Sequence, residues 1–513
     1  MAPTTRSSTQ EVTQTVLVST RAVIPDTQGN LVVSPATITI SPATGKILSV
    51  RPEVVPQSEF PADTVYIDHS PNIILPGLVD AHVHLNEPGR TEWEGFWTGT
   101  RAAASGGVTT VIDMPLNAIP PTTTVAGLKE KVKAAHGQCW VDVGFYGGII
   151  PGNADELVPL VEAGVRGFKG FLIESGVDEF PAVSSTDVAL VLKTLATQPT
   201  TVLFHAEMIP PITDSVGDDV QASLPPAHPH GPLDAYSSFL ASRPPAFETY
   251  AIEEVISLAH LAPSLPLHIV HLSAIQAIPL LREARQKGIK ITAETCFHYL
   301  SLASEDVATG DTRHKCCPPI REASNRDGLW AELNEPNSVI QTIVSDHSPC
   351  TPELKLLPDH LSVAEPGTAD DGKAKGDFFA SWGGISSVGL GLPILWTSAH
   401  NQTAPGKPAL SIIDVVRLCC VNTTKQVGLE HLKGALKEGL DADICVFDDE
   451  GSFVVEKTDM LFRNKVTPYQ GKRLKGVVRE TYLRGTKIYG REEGVVGKSQ
   501  KPSGILLLEK RKA

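Results

Sequence analysis

Hydrophobic and polar positions follow one pattern near the two chain ends and another between them. Near the ends, short apolar or β-branched runs are separated by turns rich in Pro, Gly and Asn, which predicts strands. These runs are residues 15–18, 31–33, 37–40, 443–447, 451–455 and 477–483. Because neither end alone offers enough strands for a stable sheet, we expect one small β-sandwich built from both, comprising residues 1–74 and 435–513.

Between residues 75 and 434 apolar runs alternate with amphipathic segments. The predicted strands are residues 74–83, 108–113, 141–146, 167–172, 201–205, 267–271, 290–294 and 339–345. The predicted helices are residues 91–105, 125–136, 154–163, 185–196, 249–260 and 274–286. Strands that alternate with helices pair in parallel, and this number of them predicts a closed barrel. The predicted fold class is therefore α/β: a (β/α)8 TIM-like barrel over residues 75–434 with the composite β domain beside it.

One uncharged stretch, residues 378–399, is long enough to cross a bilayer. It is rich in glycine and serine and has no long aliphatic run, so a buried loop and helix near a pocket is the better prediction. A second unusual stretch, residues 209–243, is rich in proline and histidine. We expect His228 and His230 within it to be exposed to solvent rather than to bind metal.

The net charge limits which partners are expected, and the cysteines indicate the redox state of the protein's surroundings. The 44 basic and 58 acidic residues give a formal net charge of −14, which argues against a nucleic-acid or anionic-membrane partner. None of the eight cysteines forms a CxxC pair, so a structural zinc knuckle is not expected. Reduced thiols in a cytoplasmic protein are the simplest interpretation.

Candidate chemistry lies where the predicted strands end, the edge at which barrel enzymes carry their active sites. His82 and His84 are two residues apart on one strand, so their side chains point the same way and could bind one ion. His205, His271 and Asp346 each follow an apolar run. Taken singly, each has a structural alternative: the histidines could be hydrogen-bonded core residues, and Asp346 could cap a turn.

Lys169 lies within the apolar run GFKGFL, where a buried ammonium would be costly. Its amine could reach the surface. Alternatively, it could react with CO₂ to form a carbamate, which would be an anionic ligand able to bridge two ions. Four neutral imidazoles would supply donor atoms for two divalent metals, and one carbamate and one carboxylate would offset part of their charge, so the combined set predicts a binuclear metal site.

Several longer motifs make the chain similar to the cyclic amidohydrolases of the amidohydrolase superfamily. They are GLVDAHVHLNEPGRTEWEGF, GGVTTVIDMPLNAIPPTTT, GFKGFL, HAE, HIVHLS, ETCFHYL, KCCPPIR and SDHSPC, spread over residues 76–443. The resemblance implies two divalent metal ions, zinc first, with cobalt, manganese or nickel as alternatives. It also implies a homo-oligomer, either a tetramer or a dimer.

The resemblance further implies a role for each candidate. His82, His84 and Asp346 would hold the more buried ion, and His205 and His271 the more exposed one. Lys169, as N6-carboxylysine, would bridge both ions. A metal-bridging hydroxide would attack a ring carbonyl, and Asp346 would carry the proton to the leaving nitrogen.

Within the family that the chain resembles, the residue types at a few positions indicate the substrate. Asn86 stands where dihydroorotases carry an arginine that binds a substrate carboxylate, so an uncharged ureido arm fits better. Ser348 could bond a ring group or merely start a turn. Gly383 and Gly384 would let backbone N–H groups approach a small ring. The expected substrate is the cyclic ureide allantoin, opened to allantoate in purine (ureide) catabolism.

Two alternatives remain open. The same fold and metals could serve another cyclic amide, as in hydantoinases, dihydropyrimidinases or dihydroorotases. A structural scaffold that has lost its metal ligands is the other, and the six intact ligand positions disfavour it.

Overall fold

The computed structural model describes residues 13–210, 231–361, 374–402, 410–495 and 501–512. The strands are β1 Thr15–Pro25, β2 Leu31–Ile40, β3 Ile47–Arg51, β4 Val65–Asp68, β5 Ile73–Pro76, β6 Leu78–Val83, β7 Val108–Asp113, β8 Asp142–Phe145, β9 Gly147–Gly148, β10 Phe168–Phe171, β11 Val202–His205, β12 Leu267–Ile269, β13 Ile291–Cys296, β14 Ile340–Val344, β15 Ile444–Val454, β16 Arg473–Leu483, β17 Thr486–Gly490 and β18 Gly494–Val495. His228 and His230 lie outside the described residues.

The α-helices in the same ranges are α1 Phe96–Ser105, α2 Val125–Ala135, α3 Ala154–Glu162, α4 Ser185–Leu195, α5 Tyr236–Ser242, α6 Pro245–Leu258, α7 Ile278–Gln286, α8 Phe297–Ser301, α9 Ala323–Leu333, α10 Gly391–Asn401, α11 Ile412–Val416 and α12 Asn422–Val427. Local sequence explains several of their starts. Ser184 and Asp187 form a reciprocal capping box at α4, and the Thr124 side chain accepts the Gly127 N–H at α2.

The middle of the chain is mixed α/β with parallel strands. Strands β9–β14 form one six-stranded sheet in chain order, and β6, β7 and β8 form a three-stranded sheet. Only Tyr146 separates β8 from β9, so one stretch of chain passes from the smaller sheet to the larger. An isolated parallel bridge pairs Val83, at the end of β6, with His347 beyond β14. Every residue of β6, β7, β8 and β10–β12 is buried, as expected for parallel strands covered on both faces.

A nine-stranded sheet combines strands from both chain ends. Its order is β18-β17-β16-β15-β5-β1-β2-β3, and β4 pairs with β1. Strands from the two chain ends meet where β15 pairs with β5 in antiparallel orientation. This sheet has a second hydrophobic core of its own, which includes Leu17, Ile38, Ile74 and Ile444.

Several predicted elements differ in the structure; for example, the two runs 443–447 and 451–455 are one strand, β15. The single strand predicted over residues 74–83 is two strands, β5 and β6, which belong to different sheets. They divide at Gly77, where a Cβ would lie 2.3 Å from Thr109 Oγ1, so close packing requires the missing side chain. Helix α1 begins at Phe96, not near residue 91, because Gly95 at its N-cap adopts φ 99°.

The uncharged stretch over residues 378–399 is a loop followed by most of α10, as predicted. Among the described helices, none has the length and apolar character needed to cross a bilayer.

Candidate metal centre and substrate cavity

The six predicted ligand residues converge on one cavity of about 440 Å³. Each lies in or just beyond a parallel strand, and parallel strands end at the same edge of a sheet. They are His82, His84, Lys169, His205, His271 and Asp346, and all six line the cavity.

Asp346 lies between the two histidines of the HxH motif. Its Oδ1 is 3.1 Å from His82 Nε2 and 3.5 Å from His84 Nε2. The first contact is close, but its geometry is not that of a hydrogen bond. His82 Nε2 therefore has no hydrogen-bond partner among the described residues. One ligand atom from each of the three residues lies within 4.8 Å of the others, a spacing that suits a shared cation.

His205 and His271 form a second pair, with Nδ1 of the first 3.0 Å from Nε2 of the second. Both rings are buried, and burial lowers the pKa of each well below its ordinary value. Both imidazoles are therefore neutral at pH 7, which is the form that binds metal.

The ring nitrogens that face away from these pairs are mostly hydrogen-bonded elsewhere. His82 Nδ1 lies 2.5 Å from Glu294 Oε1, and His205 Nε2 lies 2.7 Å from Glu207 Oε2. His84 Nδ1 lies 3.3 Å from the Asn117 side-chain nitrogen. The two carboxylate contacts, to His82 and His205, each orient an imidazole and leave its other nitrogen for a metal, which fits a divalent pair.

The electrostatics favour a cation at the HxH end of the cavity. Burial by itself would lower the pKa of His82, but the carboxylates of Asp346 and Glu294 raise it to about 9. The same carboxylates that favour a proton on this ring would favour a metal cation in its place. At His84 burial prevails and lowers the pKa to about 4.

Lys169 is 1% exposed, and its Nζ lies 4.7 Å from the centre of the Phe171 ring. Because the side chain is buried, the amine does not reach the surface, and it makes no hydrogen bond or ion pair with any described residue. Burial lowers the pKa of Lys169 to about 8, which increases the fraction of nucleophilic neutral amine near pH 7.

Glu294 was not a candidate from the sequence, although it opens the quoted motif ETCFHYL. Its carboxylate contacts His82, lies 3.2 Å from His268 Nε2 and accepts the His271 backbone N–H at 3.3 Å. Burial would raise the pKa of Glu294, but the two neighbouring imidazoles, His82 first, lower it. Asn117 and Glu207 also lie in quoted motifs: Asn117 reaches His84 from 33 residues away, which sequence spacing does not reveal, whereas Glu207 follows His205 by two residues within HAE.

Three of the four predicted substrate residues line the cavity: Ser348, Gly383 and Gly384. The Ser348 hydroxyl makes no hydrogen bond with the described residues and so does not start a turn. At Gly384 the φ is 151°, and a Cβ would lie 2.2 Å from the Ser348 carbonyl oxygen. The Gly384 N–H donates to the Lys315 carbonyl at 2.8 Å, whereas the Gly383 N–H has no partner in the described chain.

Asn86, the fourth predicted substrate residue, is buried and is not among the residues that line the cavity. Its backbone has φ 61°, and its side-chain N–H donates to the Pro349 carbonyl at 3.4 Å.

Two further histidines near strand ends have separate environments. His347 Nδ1 accepts the Ser387 and Val388 N–H groups at 3.1 and 3.3 Å, so it bonds loop backbone. Both ring nitrogens of His298 are buried without a described partner, and His298 lies in a second compact group with Cys296 and Asp346.

Comparisons with known proteins agree with this arrangement. The Amidohydrolase family profile matches residues 73–488. The chain is 49% identical to the allantoinase of Saccharomyces cerevisiae over 93% of its own length and 96% of that protein. It is 41% identical to the allantoinase of Streptomyces avermitilis over 96% of its length and 98% of that protein. Among solved structures, the L-hydantoinase (dihydropyrimidinase) of Arthrobacter aurescens superposes with a TM-score of 0.79 at 26% identity, covering 96% of this chain and 99% of that one.

Proposed function

This chain belongs to the amidohydrolase family, and from that premise we propose that it hydrolyses the hydantoin ring of allantoin to give allantoate in purine (ureide) catabolism. The observation that carries the proposal is the convergence of six ligand-type side chains on one cavity in a chain whose relatives are allantoinases.

For the fold we propose that β6–β14 close into a (β/α)8 barrel over residues 75–434. The bridge between Val83 and His347 supports closure, because it joins the first parallel strand to the segment beyond the last. Residues 1–74 and 435–513 would form the composite β domain as a sandwich, and the separate core of the nine-stranded sheet supports it.

The proposed metal pair is held by the cavity residues in two groups. His82, His84 and Asp346 would hold one ion, and His205 and His271 the other. Zinc is the first choice, with cobalt, manganese or nickel as alternatives. Lys169 as N6-carboxylysine would bridge the two, which its nucleophilic, unpaired amine supports. When bound, such a pair lowers the pKa of a water and polarises a carbonyl.

Asp346 is the proposed proton carrier. Burial by itself would raise the pKa of Asp346, but His82 and His84 hold it well below its usual range, so the carboxylate is available as a base. It accepts the proton of the attacking water as the new O–C bond forms at the ring carbonyl. It then donates that proton to the ring nitrogen as the C–N bond breaks, so the ring gains the elements of water.

Ser348 and Gly383 would bind the ring, through a free hydroxyl and a free N–H respectively. Gly384 would act by its small size, since its N–H is engaged. Asn86 would act on the ureido arm only if the loop around Pro349 moves, and in this structure its amide supports that loop.

We also propose the cytosol as the compartment, which the eight free cysteines support because thiols persist in reducing surroundings. The proposed assembly is a homo-oligomer, either a dimer or a tetramer.

The test is turnover of allantoin against hydantoin, dihydropyrimidine and dihydroorotate, with bound metal measured on the same sample. We expect allantoin to be preferred and two metal ions to be bound per chain. Asp346→Asn should lower kcat by about 10²–10⁴-fold, since it removes general-base catalysis. Asp306→Asn, an exposed carboxylate in the 3-10 turn Ser304–Asp306, is the matched control. Normal turnover by Asp346→Asn, or a metal-free active protein, would contradict the proposal.

A further inference from the structure

Residues 379–384, the cavity loop, form an irregular segment whose six residues all line the cavity. Without helix or strand pairing, its backbone groups need other partners if the loop is to keep one shape. Those partners therefore determine the shape of the loop that faces a bound substrate.

Four carbonyl oxygens of this loop accept hydrogen bonds from two lysine ammonium groups. Lys315 Nζ donates to the carbonyls of Phe379 and Ser381 at 3.0 and 2.5 Å. Lys355 Nζ donates to the carbonyls of Trp382, at 3.1 Å, and of Gly384. Lys315 thus bonds the first half of the loop, and Lys355 bonds the second half.

Neither lysine has a carboxylate within ion-pair distance among the described residues, although they are only 7% and 2% exposed. A buried ammonium without a counter-charge is costly, so carbonyl dipoles must supply the compensation. Burial, followed by the like charges of Lys355 and Arg243, lowers the pKa of Lys315 to about 8. Burial likewise lowers the pKa of Lys355.

Backbone hydrogen bonds place each lysine beside the loop. The Gly384 N–H donates to the Lys315 carbonyl at 2.8 Å, and the Trp382 N–H donates to the Leu354 carbonyl, next to Lys355, at 2.7 Å. The Thr312 hydroxyl also donates to the Lys355 carbonyl, so the two flanking segments are joined to each other. With both flanks bonded, Gly383 keeps the one loop N–H that has no partner in the described chain.

We propose that Lys315 and Lys355 are positioning residues that hold the cavity loop in its substrate-binding shape. Substituting either would loosen the loop and weaken substrate binding, with little effect on the chemical step. The identity of the substrate rests on the proposed function, whereas the effect on the loop does not.

Comparing variants of the two lysines distinguishes a positioning role from direct contact with the substrate. Lys315 lines the cavity, but Lys355 does not. If positioning is the role, Lys315→Met and Lys355→Met will have similar effects. If Lys315 binds substrate directly, only its own variant will matter, and that outcome would overturn the proposal.

The experiment compares both methionine variants with wild type as metal-loaded protein. Hydrogen–deuterium exchange should speed up at residues 379–384, and the KM for allantoin should rise about tenfold, since two hydrogen bonds of ordinary strength are lost. We expect kcat to change little and metal content to stay at the wild-type value. Lys46→Met, which removes a lysine of the nine-stranded sheet paired with Asp441, controls for loss of one positive charge.

Unchanged exchange at residues 379–384 in both variants would overturn the proposal, as would a fall in kcat with KM unchanged. If a methionine variant does not fold, Lys315→Gln and Lys355→Gln keep a side-chain N–H donor and are measured in the same way. Faster exchange together with no turnover of allantoin by the wild type would overturn the proposed function and leave the loop assignment standing.

Discussion

At the scale of single residues, the orientation of the His82 imidazole depends on a partner far away in the chain. Glu294 lies 212 residues from His82, and the two side chains are 2.5 Å apart. A hydrogen bond to one ring nitrogen fixes which nitrogen is left for a metal. Residue type and strand position indicate a ligand, but these distant contacts determine how the ligand is oriented.

Lys169 offers the sharpest test at this scale. Replacing it with alanine removes the only lysine among the six ligand residues, and we expect kcat/KM for allantoin to fall by at least about 100-fold. Acetate or propionate added with divalent metal should restore part of the activity, because a free carboxylate can occupy the place of the carbamate.

Chloride at the same ionic strength is the control for this rescue, and Asp346→Asn should not respond to either salt. Full activity of Lys169→Ala without added carboxylate would rule out the bridging role.

At the scale of elements, the strand ends place the ligands through unusual backbone geometry. His271 and Asp346 each lie two residues beyond a strand, β12 and β14, and have φ of 40° and 44°. Left-handed backbone is costly for residues other than glycine and persists where surrounding structure imposes it, often at functional sites. These turns direct both side chains into the cavity instead of onto the sheet.

The turn between β4 and β5 contains a buried titratable group, His69. Its Nε2 lies 3.4 Å from Tyr482 Oη of β16, and burial lowers the pKa of His69. The unfolded chain therefore binds more protons than the folded one as pH falls below about 6.5. The contribution of His69 to stability is present above that pH and is lost on acidification.

We expect His69→Gln to lose less stability than wild type between pH 7.5 and pH 5.5, measured as the urea midpoint at each pH. His260→Gln, at an exposed histidine, is the control and should follow the wild type. Equal slopes for His69→Gln and wild type would contradict the assignment.

At the scale of the whole molecule, a buried ionic cluster joins the parallel strands to the nine-stranded sheet. Lys433 Nζ lies 2.8 Å from Asp142 of β8, 2.5 Å from Asp443 and 3.2 Å from Asp441. Arg484, at the end of β16, contacts Asp142 at 2.6 Å. Through Arg484, which lies between β16 and β17, Asp142 of β8 is thus bonded to the connection between two strands of the nine-stranded sheet.

Lys433→Met should lower the free energy of unfolding by about 3–5 kcal/mol, because it leaves the buried Asp443 carboxylate without a cation and takes one of two cations from Asp142. Lys46→Met breaks a pair with Asp441 in which the lysine side chain is 34% exposed, and it should cost no more than about 1 kcal/mol. Thermal and urea unfolding of both variants measures the difference. Equal losses in the free energy of unfolding would show that the buried cluster does not stabilise the fold more than the Lys46–Asp441 pair does.

The sequence by itself indicated the alternation of strands and helices in the middle of the chain, the strands near both ends, and the six candidate residues that line the cavity. Hydrophobic periodicity and strand-end position are local properties, and they carry this information directly. Only the tertiary structure decided the division at Gly77, the support of His82 by Glu294, the position of Asn86 away from the cavity wall and the two lysines behind the cavity loop. Each of these depends on atoms brought together across long stretches of chain, and close packing and hydrogen bonding act between neighbours in space, whatever their separation in sequence.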